Sequence, residues 1–224
     1  MQADPELLGD RSTAVRWALG LWAVAAAVFV IIAIPALRDL AQSVDDWFWD
    51  LAVETEWQPA VLMAKALRII GSGWVMVPFE IAVGIWLFSR RRLMAIAFWF
   101  AAIAATDAIV WISKVLYDRS RPPDALVSTT GDSFPSGHSA TAAVVAIGLV
   151  LVFASISKSR WHWFAVAAGW AMVMAASRVY LRAHWFTDVI AGAAVGAAVA
   201  FTIALLIDRW SDAREDRTKV PAEE

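Results

Sequence analysis

Lys114, Arg121, His138, Arg178, His184 and Asp188 stand at the ends of long apolar runs in this 224-residue chain. Ionisable groups beside hydrocarbon are costly, so three cations, two imidazoles and a carboxylate reaching one boundary from separate connections mark a site rather than packing. Lys114 with Arg121 and Arg178 would form a receptor for a multiply charged oxyanion, the guanidinium forks matching phosphate geometry. Pro135 suits the first turn of a helix. A helix starting there would aim the free N–H groups around Ser136 and Gly137 at an anion. His184 and Asp188 are four residues apart, hence one turn apart on one helical face. A carboxylate so placed accepts the ring N–H, fixes the tautomer and leaves the other nitrogen free as a nucleophile. His138 is then available to protonate a leaving oxygen. No carboxylate or histidine cluster suggests a metal, and three cations nearby would repel a divalent ion. The third histidine, His162, lies between Trp161 and Trp163 and is expected in an interfacial aromatic belt.

The elements that must carry these groups are membrane helices. The chain is 60% hydrophobic and 18% charged, with a mean hydropathy of +0.60, a balance that fits a bilayer better than water. Net charge is −2, which argues against nucleic acid as a partner, and the absence of Cys excludes disulfides and thiol chemistry. Fourteen Trp fit membrane interfaces. A span needs about 20 largely apolar residues. Six such runs are predicted: Trp17–Leu37, Ile69–Ser89, Leu93–Ser113, Pro135–Ser157, Trp161–Ser177 and Trp185–Ile207. The first is too long for a signal peptide and is read as a retained span.

The expected architecture is thus all-α and polytopic, with a six-helix membrane domain over 14–208 and polar, loose tails over 1–13 and 209–224. Eleven cations fall on the face holding both tails and the loops at 90–92 and 158–160, against eight opposite. Positive charge stays inside, so both termini are predicted cytoplasmic and the active site outward, in the cytoplasmic membrane. The outward segment 38–68 holds six acids, and after Pro59 apolar residues alternate with Lys65 and Arg68. It reads either as an interfacial helix or as a solvated connector. Gly192 and Gly196 have the spacing of close helix packing.

Lys114-x6-Arg121-Pro122, Pro135-Ser136-Gly137-His138 and Ser177-Arg178-x5-His184-x3-Asp188 resemble the three signature motifs of the type-2 phosphatidic acid phosphatase superfamily, matching eleven specified positions. The resemblance implies a lipid phosphatase working without metal or other cofactor. His184 would attack phosphorus and form a phosphohistidine, Asp188 would orient it, and His138 would give a proton to the departing oxygen. Lys114, Arg121, Arg178, Ser136 and the Gly137 amide would hold the phosphoryl oxygens. Ser177 would either assist them or serve the helix end. Expected partners are the bilayer and a polyprenyl pyrophosphate, phosphatidate or phosphatidylglycerol phosphate. Vanadium-dependent haloperoxidases share the motifs, but they resemble soluble helical proteins. A lipid phosphotransferase on the same scaffold and a non-catalytic anionic-lipid transporter are the rivals.

Outside the motifs, Asp107 lies two turns before Lys114 and could pair with it or with another bundle group. Glu80 must face the interior. Arg119 and Arg182 read either as contacts to a second phosphate or as snorkelling cations.

Overall fold

In the computed structural model, which describes residues 7–154 and 160–219, there are eight helices and no strand among those residues, and the long connection 118–136 joins the fifth helix to the sixth. Lys158, counted among the inner-face cations, lies outside them, as do 1–6, 220–224 and the side chains beyond Arg214. Helix α1 (Arg11–Ala33) is opened by Asp10, whose carboxylate accepts from the Ser12 and Thr13 N–H groups. It ends at Ile34 because Pro35 cannot continue it, and Pro35 starts α2 (Pro35–Glu54) instead. Helix α3 (Gln58–Ile70) follows, so segment 38–68 is largely two helices rather than an irregular connector. A break at Gly71 and Ser72 bends the chain by 48° into α4 (Gly73–Ser89). Then come α5 (Leu93–Tyr117), α6 (Gly137–Phe153), α7 (Arg160–Tyr180) and α8 (Phe186–Lys219).

Each of the six apolar runs falls mainly on one helix, though α1 begins at Arg11 and stops short of Leu37, α8 runs on past Ile207, and their lengths differ in what they license. By length and composition α1, α5 and α8 can each cross a membrane, and the bent pair α3–α4 makes a fourth if counted as one span. Helix α6 has 17 residues, roughly 25 Å at 1.5 Å per residue, against a hydrocarbon core of about 30 Å. Helix α7 is long enough, but Arg160, His162 and Arg178 dilute its apolar character.

The bundle is organised around α8, which packs against α6, α1 and α5. Small residues make this possible. A Cβ on Gly192 would come within 2.3 Å of the Ser136 carbonyl oxygen, and one on Gly196 within 2.1 Å of that of Ala140. The GxxxG pair is therefore a seat for α6. Phe98, Trp99 and Leu87 fill the centre between α4, α5 and α6, and the Trp99 indole N–H donates to the Glu80 carbonyl. Glu80 is buried, and the charge acting on it is the Asp107 carboxylate, so Asp107 faces an acid rather than Lys114.

The described residues next to α1 and at the end of α8 make specific contacts. Leu7 and Leu8 are buried, and both their N–H groups donate to the Asp208 carboxylate on α8. Arg160 donates to the Leu7 carbonyl, and Arg11 pairs with Asp212. Helix α8 continues without interruption through Lys219.

Candidate active site

Three connections meet at one end of the bundle: α5–α6, α7–α8 and the α3–α4 break. Asp188 is the third residue of α8, where a carboxylate is favoured by the helix dipole. Its Oδ2 reaches back to the Trp185 N–H at 2.9 Å, closing the first turn. The same oxygen lies 3.5 Å from Nδ1 of His184, and the ring Nε2 is 3.3 Å from Nη1 of Arg121. The tautomer compatible with both contacts carries its proton on Nδ1, towards the carboxylate, and presents the Nε2 lone pair. His184 is buried. Burial pushes its pKa down to about 4; Asp188 opposes that shift, and the Arg121 and Arg178 charges reinforce it.

Asp188 does not act alone. Its Oδ1 accepts from Nη1 of Arg119 at 2.6 Å, while Nη2 of Arg119 donates to Asp45 at 2.7 Å. Asp45 also accepts from the Thr187 N–H and hydroxyl, at 2.8 and 2.7 Å. Arg119 and Asp45 are 6% and 1% exposed, so this is a buried acid–base–acid chain, and Arg119 is not a snorkelling cation. It ties α2 to the start of α8 behind the histidine. Sequence reading missed Asp45. The available signal was its place on the inward stripe Ala41, Asp45, Phe48, Ala52 of an amphipathic helix, where a carboxylate needs a partner. Arg182 likewise pairs with Glu56, at 2.7 Å.

The cations converge as their types suggested, with different immediate partners. Lys114 donates to the Asp132 carbonyl. Arg121 is held by carbonyls: Nε donates to Gly131 at 2.8 Å, Nη1 to Ala183 at 2.7 Å, and Nη2 to Thr130 and Asp132 at 3.0 and 3.1 Å. Burial of Arg121 lowers its pKa. Arg178 is 3% exposed and its Nε and Nη1 are buried with no hydrogen-bond partner among the described residues. An ionised group in that state is a receptor for an anion.

His138 lies in the first turn of α6, and its Nε2 is 3.2 Å from the Arg68 carbonyl at the end of α3. The charges of Arg178 and His184 act on His138, so the two imidazoles lie within electrostatic reach of each other. Gly71 permits the approach, since a Cβ there would sit 2.8 Å from the His138 ring. Pro135 does not open the helix: Ser136 is the N-cap and Gly137 the first helical residue. The Ser136 N–H is taken by the Asp188 carbonyl at 3.0 Å, and its hydroxyl accepts from Ser139. Of the backbone donors expected here, those of Gly137 and His138 keep the first-turn position that lacks an intrahelical partner. Ser177 donates to the Met174 carbonyl, a bond within its own helix. Among the described residues, no group of three or more His, Cys, Asp or Glu side chains could hold a metal ion.

A helical bundle that presents two histidines and several cations from helix ends defines a phosphate-handling membrane protein. Residues 95–212 match the family model of the PAP2 superfamily, and the chain belongs to that family. It is 30% identical over 190 residues to phosphatidylglycerophosphatase B of Bacillus subtilis, covering 78% of this chain and 89% of that protein. An undecaprenyl-diphosphatase of Sulfolobus acidocaldarius is 31% identical over 140 residues, 58% of this chain and 63% of that one. The crystal structure of a transmembrane PAP2-type phosphatidylglycerolphosphate phosphatase from Bacillus subtilis superposes with a TM-score of 0.67 at 25% identity. It covers 94% of this chain and 98% of that one. The chain is accordingly a phosphatase of a membrane lipid phosphatase family.

Proposed function

We propose that the chain is a metal-independent phosphatase that hydrolyses a lipid phosphomonoester or lipid pyrophosphate through a phosphohistidine. The observation that carries this reading is the pair of buried, unpartnered Arg178 donors beside the His184 imidazole. Nε2 of His184 attacks phosphorus in line with the lipid oxygen, the N–P bond forming as the P–O bond breaks. His138 gives a proton to the departing oxygen. Its Nε2 faces the Arg68 carbonyl, which leaves Nδ1 as the nitrogen open to transfer. Water then attacks the phosphohistidine, His138 takes its proton, and inorganic phosphate departs. Lys114, Arg121 and Arg178 compensate the charge spread over the equatorial oxygens, with Ser136 and the Gly137 amide beside them. Asp188 holds the nucleophile's tautomer and the imidazolium that forms. The cations supply the charge compensation a metal would otherwise give, which supports the metal-free reading.

An apolar groove of about 790 Å³, lined by Ile70, Met76, Phe79, Leu149, Phe153 and Trp170 among others, runs between α4, α6 and α7 from the α3–α4 break. Its upper end adjoins Gly71, which touches His138. That continuity suits a substrate whose head meets the cations while its hydrocarbon lies in the groove. Polyprenyl pyrophosphate, phosphatidate and phosphatidylglycerol phosphate all fit the description. In the bilayer the chain makes six passes, α2 and α3 lying at the interface, with both termini cytoplasmic and the site facing outward.

The test is phosphate release by the purified chain in detergent, with a panel of these lipids and without any acceptor, in the presence and absence of EDTA. Turnover is expected to survive chelation, and acid-quenched enzyme is expected to retain labelled phosphate on histidine. His184→Ala should lose turnover by several orders of magnitude, about 10⁴-fold or more. Phosphate release that needs an acceptor would favour the transferase, and loss on chelation would sink the metal-free mechanism.

A further inference from the structure

Arg68 belongs to none of the three motifs, yet it sits on the leaving-group side of the site. It closes α3, and its backbone carbonyl is the partner of His138, the group that protonates the departing oxygen. Its guanidinium charge is felt by both His138 and Arg178. Among the described residues it makes one side-chain hydrogen bond, from Nη2 to the Ser128 carbonyl at 3.2 Å, and it is only half-buried. Two residues further along, Ile70 begins the lining of the apolar groove. A lipid laid from the phosphorus-binding cations past His138 into that groove therefore passes Arg68 immediately after its scissile oxygen.

We infer that Arg68 is a specificity-determining residue that binds a second, anionic phosphate on the leaving group, so that the preferred substrates are lipid diphosphates rather than lipids with a neutral alcohol leaving group. The inference rests on the phosphatase reading above and adds a substrate class to it. The chemistry is consistent. When a diphosphate is cleaved, the leaving oxygen belongs to a lipid monophosphate, which departs readily but carries charge out of the site. A fixed cation beside it stabilises that developing charge. When phosphatidate is cleaved, the leaving oxygen is an alkoxide, which needs the His138 proton and has no use for Arg68. The Arg68 charge also acts unfavourably on Arg178, and an anion bound between the two would relieve that repulsion.

Substitution separates the side chain from its backbone: Arg68→Gln removes the charge and keeps the carbonyl that holds His138. The purified full chain, wild type and Arg68→Gln, is assayed for kcat/KM on farnesyl diphosphate and on dioctanoyl phosphatidate. The expected result is a loss on the diphosphate about tenfold or more greater than the loss on phosphatidate, with Arg68→Lys recovering part of the difference. Inhibition gives a readout independent of turnover. Methylenediphosphonate should inhibit wild type more tightly than inorganic phosphate does, and Arg68→Gln should erase that preference. Phosphatidylglycerol phosphate, whose second phosphate lies a glycerol further along, reports on distance: a loss confined to farnesyl diphosphate means that Arg68 meets the adjacent phosphate, and a loss on both extends its reach to the diester. Equal losses on diphosphate and phosphatidate, or none on either, overturn the inference while leaving the phosphatase reading intact. A wild-type chain that releases phosphate from no lipid overturns the reading itself.

Discussion

As the proposed nucleophile His184 has to be neutral, and its surroundings favour that state. Burial holds its pKa near 4 rather than the ordinary 6.5, so the free-base fraction persists well into acid. The acid limb of kcat/KM, corrected for the substrate's own ionisation, is therefore expected near pH 4, and a limb near 6.5 would contradict the burial argument. The same depression has a cost in stability. Between pH 6.5 and 4 the unfolded chain takes up a proton that the folded one refuses, so folding stability falls as pH drops through that window. Asp45 is the second residue to test. Asp45→Asn leaves every group that touches phosphorus in place but loosens Arg119, and through it Asp188. A fall in kcat of about ten- to a hundredfold is expected, with KM within twofold. A change in KM alone would mean that Asp45 shapes binding and not the histidine's orientation. Of these residues, the six motif side chains were readable from type and spacing because each helix end advertises its own charges. Asp45 and Arg119 were not. Their partnership joins positions 74 residues apart, and only the docking of α2 against α8 brings them together.

At the level of elements, the length of the apolar runs located six helices, since a largely apolar stretch of this length has few other options. The break at Gly71, the ordered α2 and the first residue of α6 were less accessible. The helix starts at Gly137 and not at Pro135, with Ser136 as N-cap: its hydroxyl accepts from Ser139 and its N–H reaches the Asp188 carbonyl. That last bond makes the α6–α8 contact part of the site. Gly192→Ala would drive a methyl into the Ser136 carbonyl, at an expected loss of about 1–3 kcal/mol. Activity should fall further than that destabilisation explains, because the N-cap beside His138 shifts. Gly169→Ala on α7, where a Cβ meets nothing within 4 Å, is the matched control and should be neutral or slightly stabilising. Equal thermal midpoints for the two variants would mean that α6 and α8 have room to separate.

For the whole molecule, the complete lack of cysteine offers a direct check of topology. A single cysteine at Ser128 should react with a membrane-impermeant maleimide in intact cells, whereas one at Arg91 should react only after permeabilisation. Labelling of Arg91→Cys in intact cells would invert the proposed orientation. The charge count behind that orientation was legible at once, because the K/R bias is a property of short loops and not of packing. How the segment just before α1 is held was not legible, since nothing local to Leu7 and Leu8 points to Asp208 about two hundred residues on.

That clasp bears on how the protein is made. Helix α1 rests chiefly against α8, and the segment before it is fastened to the same helix two hundred residues later. During synthesis α1 precedes α8 by about 150 residues of chain, so it lacks that mate, and Leu7 and Leu8 lack the Asp208 carboxylate, until α8 is made. A chain interrupted before α8 lacks both the seat of α6 and the Asp188 carboxylate beside His184.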